Sequence, residues 1–124
     1  MNTTNTNLTY SFGHIGINTD NENEASKLAQ QLKAVFAFPA FDIGGAIFVE
    51  GAFEVMKKNF RGKNGHIAIE TNDLNLAIED IQKKGIKLDM DTLQIGEDGK
   101  PISVYLVEEM GGFAFHLLQC RASQ

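Results

Sequence analysis

Apolar and polar residues alternate over residues 11–18, with β-branched residues among them, and this period of two predicts a strand. The period then lengthens. Ala25, Leu28, Ala29, Leu32 and Phe36 recur at the spacing of one helical stripe. Asn21 stands at the N-cap position, Glu24 completes a capping box three residues later, and Pro39 ends the helical region. Residues 41–43 and 46–49 read as a hairpin across Gly44-Gly45, and residues 52–57 as a further strand.

The same order then repeats. Gly65–Thr71 alternates as a strand. Asn72 is read as the cap of a helix whose stripe is Leu74, Ala77, Ile78 and Ile81. Lys83 and Lys84 fall in its last turn, with Gly85 just beyond. Residues 86–95 are extended, residues 96–101 are a turn cluster, and residues 102–107 and 113–118 are strands. Each half is therefore β-α-β-β-β. Internal repetition fixes the architecture, and here it extends to single residues. Gly13-His14-Ile15-Gly16-Ile17-Asn18-Thr19 matches Gly65-His66-Ile67-Ala68-Ile69-Glu70-Thr71. Ala52-Phe53-Glu54-Val55-Met56 matches Ala114-Phe115-His116-Leu117-Leu118.

The expected fold is α+β: two tandem βαβββ modules, residues 11–60 and 64–119, within one domain spanning residues 11–124. Their strands join in a curled mixed sheet with helices on one side and a concave cup on the other. Residues 1–10 are expected to be a polar tail. Alternation puts His14 on one face with Gly16 and Asn18, and Ile15 and Ile17 on the other. The isoleucines suit the helix-covered face, so the histidines are expected in the cup.

Composition narrows the function classes. The 124 residues are 43% hydrophobic and 22% charged, enough for a core and unlike a disordered chain. A net charge of -5 argues against nucleic acid or an anionic membrane as partner. No apolar run approaches the ~20 residues of a membrane span, and residues 1–9 lack the pattern of a secretory signal. The single cysteine, Cys120, suits a reducing cytoplasm.

All three histidines fall in the repeated segments, and the fourth equivalent slot holds Glu54. Imidazole and carboxylate are ordinary ligands for Zn, Ni, Fe and Mn. If a pseudo-twofold axis relates the halves, His14, Glu54, His66 and His116 converge on it as a divalent-metal site. The alternative is that they are ordinary polar residues on a partly wet sheet face. Lys57, Lys58, Arg61 and Lys63 follow Glu54. Lys57 and Arg61 are candidate anchors for a substrate anion, against the plainer reading of a solvated linker.

The duplication, with GHIGI and GHIAI opening the halves and FEVM and FHLL closing them, resembles the vicinal oxygen chelate superfamily. That is the glyoxalase I, bleomycin-resistance and extradiol dioxygenase group, and the resemblance covers residues 12–119. The runs FEVMKKNFRGKNGHIAIETND and YLVEEMGGFAFHLLQ are similar to the glyoxalase-like domain attached to some bacterial 2-dehydro-3-deoxyphosphogluconate aldolases. The aldolase chemistry itself belongs to a barrel of roughly 200 residues or more, too long for this chain.

The resemblance implies one metal ligand from the first strand and one from the last strand of each half. His14, His66 and Glu54 match that pattern. His116 departs from it, standing where a glutamate is usual, and can ligate or act as a base near neutral pH. The implied activity is a metal-dependent lyase or isomerase on a small anionic oxo- or hydroxy-acid. Adjacent oxygens would chelate the ion, an enolate-type intermediate would form, and Glu54 or His116 would carry the proton. Four protein ligands leave less room for dioxygenase chemistry. The competing class is a non-catalytic metabolite-binding module associated with sugar-acid metabolism. A homodimer is the implied assembly.

Overall fold

A computed structural model describes residues 7–120. The elements run β1 (Tyr10–Ile17), α1 (Glu22–Phe36), β2 (Ala40–Asp42), β3 (Ala46–Val49), β4 (Phe53–Met56), β5 (Gly65–Thr71), α2 (Leu74–Lys83), β6 (Leu88–Ile95), β7 (Pro101–Leu106) and β8 (Phe113–Gln119). This is the α+β class and the doubled βαβββ order that the repeat predicts. The strands are hydrogen-bonded in the order β2-β3-β4-β1-β5-β8-β7-β6. The sheet is mixed, because β1 and β4 run parallel while β2/β3, β3/β4, β6/β7 and β7/β8 are antiparallel. Much of the expected tail lies outside the described residues. Tyr10 already opens β1, and Asn7 and Thr9 are tied to Asn72.

The helices form where capping and periodicity place them. Asn21 accepts a hydrogen bond from the Glu24 N–H at 2.9 Å and so caps α1. Ala25 and Ala29 are buried, with Leu28 and Leu32 packed beside them. Phe36 corrects the expected stripe: it is 59% exposed. The chain leaves the helix at Ala37, whose backbone is left-handed at φ 61, and Phe38 takes the core position instead. Phe36 stacks on Phe38 from outside, their centroids 5.3 Å apart.

The cap of α2 also differs from expectation. Asp73, not Asn72, accepts from the Leu76 N–H, at 3.1 Å. Asn72 instead holds the chain's beginning, accepting from the Thr9 N–H at 2.9 Å and donating to the Asn7 carbonyl at 2.6 Å.

The chain forms two compact units, each with its own core. One comprises His14–Ile67 and Met110–Ala114; the other comprises the described residues before His14, Ala68–Glu109 and the described residues from Phe115 onward. They are not the two sequence modules, since β1, β5 and β8 each contribute to both. In the first unit α1 covers β3 and β4, burying Ala25, Ala29, Ile47, Val49 and Val55. In the second, α2 covers β6 and β7, burying Leu74, Ala77, Leu88, Val104 and Leu117. Among the described residues no helix is long and apolar enough to cross a membrane.

Candidate metal centre

Register decides which side chains meet. Glu54 of β4 lies beside Gly16 of β1 and opposite Phe48 of β3, so these residues share one face of the sheet. His14, two residues before Gly16 in the same strand, shares it too. The covered core takes the alternate residues, Val55 of β4 and Ile47 and Val49 of β3. The period of two therefore divides each strand between core and site.

On this face one carboxylate oxygen serves two imidazoles. Glu54 Oε1 lies 2.9 Å from His66 Nε2 and 3.4 Å from His14 Nε2. The imidazole rings stand nearly perpendicular, 88° apart with centroids at 5.5 Å, and present ligand nitrogens within 4.8 Å of each other. The side chains of His66, His14 and Glu54 are 3%, 13% and 20% exposed, so the group is sheltered without being sealed. Hydrogen bonds from His14, then His66, hold the Glu54 carboxyl down at about 2, against the opposing pull of its partial burial. Glu54 is an anion throughout the neutral range.

Aromatic rings frame the group. Phe48 meets His14 edge-on with centroids 5.3 Å apart, and Phe60 meets His66 the same way at 5.7 Å. Phe60 belongs to the connection between β4 and β5, which Asn18 holds. The Asn18 amide accepts from the Phe60 N–H at 3.0 Å and donates to the Gly62 carbonyl at 3.0 Å.

This donor set fits a divalent ion of the Zn, Ni, Fe or Mn class. Two imidazole nitrogens and a carboxylate oxygen are drawn to one point, in the ligand chemistry those ions take. The room made for His66 also fits. A Cβ on Gly16 would lie 2.0–2.5 Å from three atoms of the His66 ring.

The other expected site residues are placed as follows. His116 lies on β8 in the second unit, where its ring stacks on Tyr105 of β7, centroids 4.5 Å apart and 13° from parallel. Lys57 donates to both carboxylate oxygens of Asp42, at 2.8 and 2.9 Å, and reaches Glu22 at 3.4 Å. It thereby links the start of α1 to the β2–β3 hairpin. Arg61 is exposed on the β4–β5 connection. Sequence reasoning missed Gly16, Asn18, Phe48 and Phe60. Gly16 and Asn18 did carry a signal, because the repeat changes there to Ala68 and Glu70. Phe60 sits in a stretch with no period to read.

No family model matches the chain. Among curated proteins it is similar to the mitochondrial methylmalonyl-CoA epimerases of Bos taurus and Homo sapiens. The bovine protein is 33% identical over 64 residues, 52% of this chain and 37% of that protein. The human protein is 34% identical over 64 residues, covering 52% and 36%. The chain thus spans little more than a third of the curated relatives it matches.

Among solved structures, hypothetical protein BH1468 from Bacillus halodurans superposes with a TM-score of 0.65 at 16% identity, covering 94% of this chain and 98% of that one. A variant of Streptomyces coelicolor methylmalonyl-CoA epimerase in complex with 2-nitronate-propionyl-CoA gives 0.64 at 19%, covering 92% and 97%. The Mycobacterium tuberculosis methylmalonyl-CoA epimerase gives 0.64 at 13%, covering 90% and 89%. These likenesses establish the fold, which is the glyoxalase-like fold expected from the sequence.

Proposed function

We propose that the chain is a metal-dependent isomerase that exchanges a proton on the carbon next to a carbonyl. The substrate would be a small acyl-CoA carrying a second oxygen-bearing group on that carbon. One observation carries this reading: Glu54 Oε1 is shared between the Nε2 atoms of His14 and His66. The substrate class differs from the free oxo- or hydroxy-acid suggested by the sequence alone. It follows the epimerases that the chain resembles, whose names specify methylmalonyl-CoA.

His14, Glu54 and His66 would hold the ion. When bound, such an ion supplies a Lewis acid for the oxygen charge that builds up as the proton leaves. The protein's own groups do the rest. His14 and His66 would offer Nε2, the ring nitrogen that each already turns toward Glu54 Oε1. Glu54 is already anionic and needs no deprotonation on binding. Glu54 or His116, the two carriers expected from the sequence, would move the proton. Lys57 or Arg61 would meet the anionic end of the substrate. The assembly would be a homodimer, a reading supported by the exposed Val35, Phe36, Phe41 and Ile43, and the single cysteine would suit the cytoplasm.

The decisive experiment strips the purified protein with a chelator and reloads it with Zn, Ni, Mn or Fe(II). Stoichiometric metal is expected by elemental analysis. Metal-dependent deuterium exchange at the α-carbon of methylmalonyl-CoA is then expected by NMR. Failure to retain any of the four ions would defeat the proposal. Exchange into a 2-oxo sugar acid instead of the thioester would keep the reaction and return the substrate to the sugar-acid class.

A further inference from the structure

β1 presents His14, Gly16 and Asn18 on one face. Only the first of these is a metal-ligand type, yet the other two govern where His66 lies. Gly16 has an ordinary strand backbone, so its conformation does not require glycine. A glycine inside a strand is less favourable there than alanine and commonly marks a close approach. Here the approach is by the imidazole of His66. A Cβ at position 16 would sit 2.0 Å from its Cε1, 2.2 Å from Nδ1 and 2.5 Å from Nε2. The ring occupies the place of the missing methyl. At the equivalent point of the repeat the chain carries Ala68, fully buried.

Asn18 governs another contact of the ring. Its side chain accepts from the Phe60 N–H and donates to the Gly62 carbonyl, both at 3.0 Å. That pair of bonds needs one donor and one acceptor on a short amide, which the repeat-equivalent Glu70 does not offer as a carboxylate. The connection is held tightly at Gly62, where φ is 89 and a Cβ would collide with the Gly65 carbonyl and the Ala114 amide. The Phe60 backbone is thereby fixed, and its half-exposed ring meets that of His66 at 77°.

We infer that Gly16, Phe60 and Asn18 are positioning residues that set the orientation of the His66 imidazole before any ion arrives. Gly16 admits the ring, Phe60 packs against it, and Asn18 keeps Phe60 in place. What remains is Nε2 directed at Glu54. A ligand whose rotamer is locked by packing loses little freedom on binding. The inference deepens the metal reading and rests on it for function, but the ring orientation is testable without metal.

The test uses the whole chain as Gly16→Ala, Phe60→Ala, Phe60→Tyr and Asn18→Ala. The obstructed atoms belong to a buried side chain and not to backbone, so Gly16→Ala is expected to fold while melting several degrees below wild type as the ring is displaced. In metal-free protein its His66 ring resonances should move, and those of Phe60→Ala and Asn18→Ala should move together. Cobalt(II) affinity should fall about 10–100-fold in Gly16→Ala with an altered d–d band, as for loss of a ligand's supporting contacts. Phe60→Ala and Asn18→Ala should release cobalt faster to a chelator, and Phe60→Tyr should restore the wild-type rate. Unchanged His66 resonances in folded Gly16→Ala would overturn the inference, as would a wild-type cobalt spectrum and affinity. Absence of cobalt binding by the wild type, with the ring shifts still present, would overturn the metal reading and leave the positioning role standing.

Discussion

β1 and β5 spell almost the same words and carry different loads. Each carries Gly-His-Ile and sends its histidine to the site face. On β1, position 16 gives up its side chain and position 18 gives its amide to a neighbouring connection. On β5, the matching positions are Ala68, packed with no exposure, and Glu70. The two helix caps, by contrast, keep the repeat: Asn21 caps α1, and Asp73, at the same offset that separates His14 from His66, caps α2. Duplication reproduces the backbone and the alternation. The site is made where the copies depart from each other.

The strongest way to break this comparison is to remove the shared oxygen. Glu54→Ala should abolish metal retention, a loss well beyond the roughly 10–100-fold of a supporting contact. Glu70→Ala, in the strand that supplies His66, should leave retention unchanged. Elemental analysis of the two variants side by side decides it. Equal losses would mean that the asymmetry between the strands has no functional content.

The next effect belongs to the other core. Leu74 is fully buried at the start of α2, packed with Ala77, Leu88, Val104 and Leu117. Leu74→Ala should cost about 2–5 kcal/mol in urea unfolding, from lost transfer energy and the cavity left behind. Metal bound per folded molecule should not change. A variant that keeps its stability but loses metal would contradict the separation of core and site.

Much of this organisation was legible in the residues. Alternation in β1 and β5 placed the histidines opposite the isoleucines, and Glu54 fell beside them because β4 alternates in the same sense. The stripe of α1 was readable as far as Leu32. It failed at Phe36, because a left-handed Ala37 redirects the chain and no local pattern announces that turn. Asn72 was misread as a cap because its partners, Asn7 and Thr9, lie more than sixty positions away in sequence. Phe60 escaped for a similar reason: a residue in an aperiodic connection gains meaning only from what holds it. The pairing of Lys57 with Asp42 joins a linker lysine to a hairpin, a register that the sequence pattern does not encode.

A smaller effect follows from the Glu54 carboxyl. Folding lowers it from 4.5 to about 2, so its ionised form stabilises the metal-free protein at all pH values above about 4.5. That contribution disappears as pH falls from about 4.5 through 2. With a side chain 20% exposed, it amounts to an order of 1–3 kcal/mol. Wild type should lose stability over that window faster than Glu54→Gln, and the two curves should converge at its lower end. Parallel curves would place the acid sensitivity elsewhere.

The smallest effect concerns Lys57, which links the first unit's helix to its hairpin. Its ammonium faces Asp42 at 2.8 Å and Glu22 at 3.4 Å, and both carboxylates are largely solvent-exposed. Exposed pairs of this kind are screened and contribute little, so Lys57→Ala should lower Tm by only about a degree or two. Salt separates two roles for this lysine. If it serves only the hairpin, raising the ionic strength should shrink even that small difference, and KM should stay at the wild-type value. If the lysine also meets the anionic end of a substrate, KM should rise several-fold with kcat unchanged, the mark of binding lost equally from ground and transition states. The pair with Asp42 then becomes a resting contact that the substrate displaces, and Asp42→Asn should lower KM by freeing the ammonium.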